Sequence, residues 1–407
     1  MSAISRGGVF ASPSFRQYFA GQAFSYVGDG LRTLAVPLLV YHLTHSALST
    51  SVSYACELGP FALFGLVGGS LADRVDRRRL MIGCDLIRFA VMTAFALAFA
   101  LGALTVPMLY AGLVVISICA AFFLGGQSSS IPYLLGKSQT TQATAALMAA
   151  ESTSNMIAPM AGGALFGIFG PLPALAINAI TYLGSQASLV LVPTLGPDDP
   201  HGLPDLHTIG RDVAAGFRFL WRDATMRAVS LTSFFLNVFG MGAYAILIPF
   251  LKRGFGASDT SVGLFLGLSA CGAVAGALLA GKLDRHWPFG RALTIAYVVD
   301  ALFFIPVVLT HQLWLAATLW AIGNAGAQFE ATQIVGWRLR VVPDELVGRV
   351  FGAVRLFVLC GIVPGVVFFG YVADRYGPRL ALALCTLGYV VVALAAALTP
   401  AIRDDDR

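Results

Sequence analysis

Between two long apolar runs the chain reads GSLADRVDRRR, Gly69 to Arg79. Gly69 and Asp73 stand one helical turn apart and so share a face, with Gly65 a turn earlier. Glycines at this spacing let a neighbouring helix approach closely, and an acid at the membrane boundary meets that helix's positive N-terminal dipole. Four arginines follow, Arg74, Arg77, Arg78 and Arg79, and they hold the segment on the cytoplasmic side. The stretch is therefore a tight cytoplasmic loop joining two membrane helices.

The flanking runs, 48–71 and 80–101, each reach the roughly 20 residues that cross about 30 Å of hydrocarbon. Ten more runs do the same: 15–43, 105–127, 143–169, 172–193, 228–251, 260–281, 291–310, 313–337, 347–371 and 380–399. Composition agrees. The chain is 57% hydrophobic and 12% charged, whereas a soluble domain carries roughly 25% charge. An all-α membrane protein of twelve transmembrane helices is expected, with the lipid bilayer as its main solvent.

With both termini inside, 19 of the 26 Lys and Arg fall in cytoplasmic segments, counting Arg16, Arg291 and Arg349 at the cytoplasmic ends of their spans, with 4 outside (Lys252, Arg253, Arg375, Arg379) and 3 well within spans (Arg32, Arg88, Arg355). That asymmetry is what the positive-inside rule demands. The net charge of +5 thus reports topology, and the basic residues form no aromatic-interleaved patch, so no nucleic-acid partner is expected. Met1 to Ser14 is too short of apolar residues for a cleavable signal peptide. The six cysteines, Cys56, Cys84, Cys119, Cys271, Cys360 and Cys385, lie inside apolar runs with no CxxC pair, which argues against disulfides and metal.

Internal similarity sets the organisation. GDGLRTLAVP (Gly28 to Pro37) aligns with GMGAYAILIP (Gly240 to Pro249), and LADR (Leu71 to Arg74) with KLDR (Lys282 to Arg285). Pro159 to Ala176 likewise aligns with Pro364 to Ala383. The chain is a six-plus-six duplication: an N-terminal bundle over 1–193, a linker with an interfacial helix over 194–227, and a C-terminal bundle over 228–407. The linker opens with GPDDPHGLPD and passes into an amphipathic stretch, RDVAAGFRFLWRDATMRAV. Parallel repeats of this kind place a substrate path between the halves near mid-membrane.

On these residues the sequence resembles the major facilitator superfamily, whose loop between helices two and three carries GxxxDRxGRR-type residues. Gly69, Asp73, Arg74, Arg77 and Arg78 fit, and Asp76 replaces the usual second glycine. The closer resemblance is to the enterobactin-exporter and macrolide-efflux branch, through Phe15 to Thr44, Ser70 to Phe89 and VVPDELVGRVFGAVR (Val341 to Arg355). It implies the major facilitator fold, secondary active transport of a small-molecule substrate, and a gating role for the Asp73 motif. APMAGG (Ala158 to Gly163) resembles an antiporter-associated GPxxGG motif with Ala158 in place of its first glycine. There Pro159 can bend the helix while Gly162 and Gly163 permit tight packing, which a kinked packing helix would equally use. The RxxxG motif of many drug:proton antiporters is missing from span four. GYVADRYGPR (Gly370 to Arg379) repeats the letters of the loop motif but falls outside by topological parity.

Six acids lie within the spans: Asp29, Glu57, Asp85, Glu151, Asp300 and Glu330. An ionised acid near the bilayer centre costs about 2.5–3.5 kcal/mol on insertion scales, so six together are not idle. Asp29 has Arg32 three residues on and sits on a helix that the resemblance places along the cavity. It is the first candidate for proton coupling, with a packing ion pair as the alternative. Glu330 is the second, with a gate contact to an arginine such as Arg338 as the alternative. Asp85 and Arg88 are spaced as a helical ion pair, and Glu151 and Arg355 are further ion-pair candidates, while Glu57 and Asp300 are expected to pack against partners. Asn237 with Tyr244, and Asn324 with Gln328, each share a helical face and are candidates for substrate contact or interhelical bonding.

GKS (Gly136 to Ser138) lacks the glycine of a Walker loop, where Ile131 stands, and GDGLRT breaks the dinucleotide pattern at Thr33. No enzymatic activity and no cofactor are expected. The leading expectation is a monomeric, proton-coupled exporter of a hydrophobic or amphipathic molecule, such as an antibiotic or siderophore, in the cell membrane. An importer of the same fold and a transport-dead sensor are the alternatives.

Overall fold

A computed structural model describes residues 8–72, 74–192, 195, 206–283 and 289–403. Asp73, the Pro-, Gly- and Asp-rich linker stretch and the Asp284–Arg285 pair of the second repeat lie outside the described residues.

Among the described residues the chain is helical throughout. It runs α1 (Pro13–Thr44), α2 (Ala47–Ala72), α3 (Arg77–Ala100), α4 (Val106–Leu135), α5 (Thr140–Phe169), α6 (Leu172–Leu191), α7 (Leu206–Arg222), α8 (Ala224–Ala245), α9 (Leu247–Phe255), α10 (Asp259–Leu283), α11 (Phe289–Leu309), α12 (Leu313–Val341), α13 (Val347–Tyr376), α14 (Pro378–Leu398) and the short α15 (Pro400–Arg403). Each expected span is occupied by helix, and with α8 and α9 taken together as one crossing there are twelve. Eight of these helices are long and apolar enough to cross a membrane by length and composition. Of the rest, α1, α5 and α12 are the more polar because they carry Asp29 and Arg32, Glu151 and Asn155, and Asn324, Gln328 and Glu330.

One span departs from expectation. The run 228–251 predicts a single helix, but α8 ends at Ala245 and α9 starts at Leu247, with Ile246 at φ −91°, ψ 2°. Pro249 explains the break: it has no N–H to give, and its ring clashes with the carbonyl four residues back, at Ala245.

The chain divides into two compact units, one of Met1–Val36 with Pro60–Asp205, the other of Pro37–Gly59 with Leu206–Arg407. In lipid there is no hydrophobic drive between helices, so each unit is built by close packing over small residues. In the first, a Cβ on Gly68 of α2 would stand 2.5 Å from the Ala121 carbonyl of α4, and one on Gly125 would stand 2.4 Å from the Gly68 carbonyl. The second unit repeats the device, with Gly272 and Gly276 of α10 against the Ala321 and Ala325 carbonyls of α12. The recurrence of one glycine-mediated helix pair in each unit is the structural counterpart of the duplication.

The amphipathic helix α7 packs on α13. A Cβ on Gly216 would stand 2.2 Å from the Arg349 carbonyl, and Phe217 and Trp221 meet Phe357 edge-on at 6.2 and 5.5 Å.

Candidate functional site

In the first unit α1, α3 and α6 bring four buried or half-buried charges together. Arg32 Nε lies 3.7 Å from Asp29 Oδ1, and Arg88 Nη1 lies 3.6 Å from Asp85 Oδ1. Tyr182 of α6 joins the two pairs. Its hydroxyl donates to Asp29 Oδ1 at 2.6 Å, and its ring lies 5.4 Å from the Arg88 guanidinium, which also sits 4.5 Å over the Phe123 ring. Arg88 further donates to the Cys119 carbonyl at 3.3 Å. Charge paired with charge, hydroxyl and ring faces is how such groups are kept inside a membrane.

This network borders a cavity of about 150 Å³ lined by Asp29, Arg88, Glu151, Tyr26, Gln127 and Asn155 among others. Asp29 opens onto it, whereas Asp85 and Arg32 lie buried behind. Gln127 of α4 donates to the Tyr26 hydroxyl at 2.6 Å across the cavity wall.

The second unit has its own cavity, of about 310 Å³, on α8, α10, α11, α12 and α14. Asn237, Tyr244, Asn324, Gln328 and Glu330 all line it, beside Phe304, Trp320 and Tyr389. Asn324 is partly spent on packing, since its amide donates to the Ser269 carbonyl and hydroxyl of α10, both at 3.0 Å. Asn237 donates to the Ser233 carbonyl of its own helix at 2.8 Å. Arg355 is half-buried on α13, outside that lining.

The loop arginines knit one end of the first unit. Arg77 donates from Nε to the Ala72 carbonyl at 2.8 Å and from Nη1 to the Ser129 carbonyl at 2.7 Å, with the Tyr133 ring 4.8 Å below. Arg78 donates to the Val190 carbonyl of α6. Asp76, the residue in the usual glycine position, caps α3 by accepting from the Arg79 N–H at 3.1 Å. Arg74 sits in the turn, its N–H bonded to the Leu71 carbonyl. Gly69 touches nothing within 4 Å of a would-be Cβ, and the close approach falls to Gly68 instead.

On α5, Pro159, Gly162 and Gly163 are buried. A Cβ on Gly162 would stand 3.4 Å from Leu31, and one on Gly30 would stand 2.6 Å from Ala158. The APMAGG segment therefore packs directly on the stretch of α1 that carries Asp29 and Arg32.

The sequence profile of the transmembrane secretion effector family matches residues 5–406. The chain belongs to this family of major facilitator transporters. Enterobactin exporter EntS of Citrobacter koseri is 25% identical over 388 residues, which cover 94% of this chain and 90% of that protein. EntS of Salmonella typhi is 24% identical over 392 residues, covering 94% and 91%. Among solved structures, a bacterial homologue of the human lysosomal transporter Spinster superposes with a TM-score of 0.76 at 18% identity, covering 97% of this chain and 99% of that one. The nucleoside transporter NupG gives 0.77 at 14% identity, covering 94% and 98%. These superpositions establish the twelve-helix major facilitator fold. The chain is a multi-pass membrane transporter of small molecules, and its family is one of transporters rather than enzymes.

In this transporter several site residues gave no local signal. Tyr182, Gln127 and Tyr26 sit in apolar stretches that read as ordinary membrane helix, and only the partners that the fold brings them mark them out.

Proposed function

We propose that this transporter exports an amphipathic, aromatic small molecule of the siderophore class across the cell membrane by alternating access, as a monomer with both termini cytoplasmic and with protons as the driving ion. The observation that carries the reading is the make-up of the two cavities. Each combines aromatic faces with amide groups and one or two membrane acids: Tyr26, Phe123, Gln127, Asn155, Asp29 and Glu151 in the first, Phe304, Trp320, Asn237, Gln328 and Glu330 in the second. Aromatic walls take a flat apolar ring by area burial and offset stacking, while a few fixed amides orient its polar rim. Catecholate siderophores present that combination, and the relatives named as enterobactin exporters support the same cargo class.

Asp29 and Glu330 are the two candidate carriers of the proton, one on each cavity. The motif that runs from the end of α2 into the start of α3, with the residues Gly69, Asp73, Arg74, Arg77 and Arg78 of the sequence, serves as the gate.

The test is efflux from proteoliposomes loaded with enterobactin, with linear catecholates and with a macrolide, each with and without a pH gradient. Gradient-stimulated efflux of catecholates is the expected result. Uptake without efflux, or no flux of any panel member, overturns the reading.

A further inference from the structure

The two clusters of buried charge differ in balance. In the first, Asp29 and Asp85 are matched by Arg32 and Arg88. In the second, Asp300 of α11 and Glu330 of α12 are both buried, 0% and 8% exposed. Among the described residues neither carboxyl oxygen of Asp300 has a hydrogen-bond partner, nor does Oε2 of Glu330. Arg338 on the same helix stands eight residues beyond Glu330, about 12 Å along the axis, and its own Nε and Nη2 have no such partner either.

Backbone geometry brings the two acids to one place. A Cβ on Gly326 would stand 1.8 Å from Asp300 Oδ1, so the glycine is what lets α11 press a carboxyl against the α12 backbone. Glu330 lies one turn further on the same face, and a helical side chain leans back over the turn on its N-terminal side, here the turn of Gly326. The carboxyls converge there, and when both are ionised each charge acts on the other. The other ionisable groups facing them are the hydroxyls of Tyr297 on α11 and Tyr389 on α14, with Tyr244 of α8 on the cavity wall. From α10 comes Ser269. None of these supplies a positive charge.

Two ionised carboxylates in a dry site repel each other and lose their hydration, whereas one shared proton turns the repulsion into a hydrogen bond. A hard cation would collect about six oxygens, mostly from several carboxylates, and among the described residues no third acid, histidine or cysteine joins this pair.

We propose that Asp300 and Glu330 form a proton-binding carboxyl pair that opens onto the second unit's cavity through Glu330 and carries the coupling proton. Loading is the transfer of one proton from cavity water to a Glu330 carboxylate oxygen, where Asp300 shares it. Release returns that proton to water, and nothing else is consumed. Asp29, matched by Arg32, takes no part in loading. The assignment rests on the proton-coupled reading above and names its ion site.

Two measurements decide it. In pH-difference infrared spectra of the reconstituted protein without substrate, wild type shows the C=O stretch of a protonated carboxylic acid that vanishes as pH rises. Glu330→Gln and Asp300→Asn each remove or shift that band, and Asp29→Asn leaves it. A band that persists unchanged in both variants, or is lost only in Asp29→Asn, overturns the pair. In proteoliposomes with enterobactin as probe, gradient-driven efflux falls at least tenfold in Glu330→Gln and in Asp300→Asn. In Asp300→Asn, which lies outside the cavity lining, exchange of labelled for unlabelled enterobactin persists, and wild-type gel-filtration behaviour shows that both variants fold. Efflux that stays gradient-driven in both variants overturns this assignment alone. Wild-type efflux indifferent to a pH gradient overturns proton coupling itself and the pair's coupling role with it.

Discussion

Asp374 caps Ala47: the carboxylate near the end of α13 accepts the backbone N–H of Ala47 at 2.6 Å, and that of Leu48 at 3.0 Å. The Ser46 hydroxyl donates to the same group, and Arg253 pairs with it at 3.3 Å while also donating to the His45 carbonyl. A helix start leaves N–H groups without intrahelical partners and carries a partial positive charge, and an acid answers both. The turn it holds is tight, with His45 at φ 50°. Losing the cap costs about 1 kcal/mol, and the half-exposed pair with Arg253 adds at most about 1 kcal/mol. Asp374→Ala should therefore lower the melting temperature in detergent, and Asp374→Asn, which keeps an acceptor, should lower it less. If the Asp374→Ala protein melts with wild type, the cap contributes nothing.

The bond from Tyr182 to Asp29 allows a cleaner test, because one atom can be removed. Tyr182→Phe keeps the ring against Arg88 and deletes only the hydroxyl. A hydrogen bond to a charged group is worth about 1.5–3 kcal/mol, so the carboxylate of Asp29 is left poorly held at the cavity edge. We expect efflux to drop roughly 10-fold while gel-filtration behaviour stays that of wild type. Asp29→Asn should be worse for folding than Tyr182→Phe, since it removes the carboxylate charge paired with buried Arg32. If Tyr182→Phe transports normally, the Asp29 orientation is irrelevant to the cargo.

The helices were legible because lipid imposes a length and a polarity on each, and duplication supplied an independent check through Gly28 to Pro37 and Gly240 to Pro249. The break after Ala245 was not legible from Pro249 alone, because Pro37 at the aligned position sits inside an unbroken α1. The sites were half legible. Asp29, Asn324, Gln328 and Glu330 stand out as polar letters in apolar runs, and the cavities are where the fold puts them. What spacing could not give is partnership: Tyr182 is 153 residues from Asp29, and Asp374 is 327 from Ala47. The motif around Asp374, expected outside by topological parity, does at one end of the second unit what its counterpart was expected to do in the first: place an acid at a helix start.

The Asp85–Arg88 pair predicts strong coupling between two substitutions. Asp85 is fully buried, so Arg88→Met leaves an uncompensated charge and should cost about 3–5 kcal/mol, seen as loss of monodisperse protein. Asp85→Leu together with Arg88→Met removes both charges and should recover most of that stability, because a well-packed apolar pair is often no worse than a buried ion pair. Arg88 also lines the cavity, so the double variant is expected to fold and to transport poorly. A double variant as unstable as Arg88→Met would show that the arginine's ring contacts with Phe123 and Tyr182, not its charge, hold the helices.

Gly68 and Gly69 separate packing from gating at adjacent positions. A methyl on Gly68 would lie 2.5 Å from the Ala121 carbonyl, a backbone atom that cannot swing aside, so Gly68→Ala should push α2 off α4 and lower the melting temperature. Overpacking of this kind typically costs about 1–3 kcal/mol. Gly69→Ala meets nothing within 4 Å and should melt as wild type does. If the loop motif is the gate, the same methyl obstructs the close approach needed elsewhere in the cycle, and efflux falls several-fold with stability unchanged. Melting and efflux measured on the two variants side by side give the answer: a Gly69→Ala protein that transports at the wild-type rate removes Gly69 from the gate and leaves the arginines Arg77 and Arg78, with their carbonyl contacts, as structural ties of the first unit.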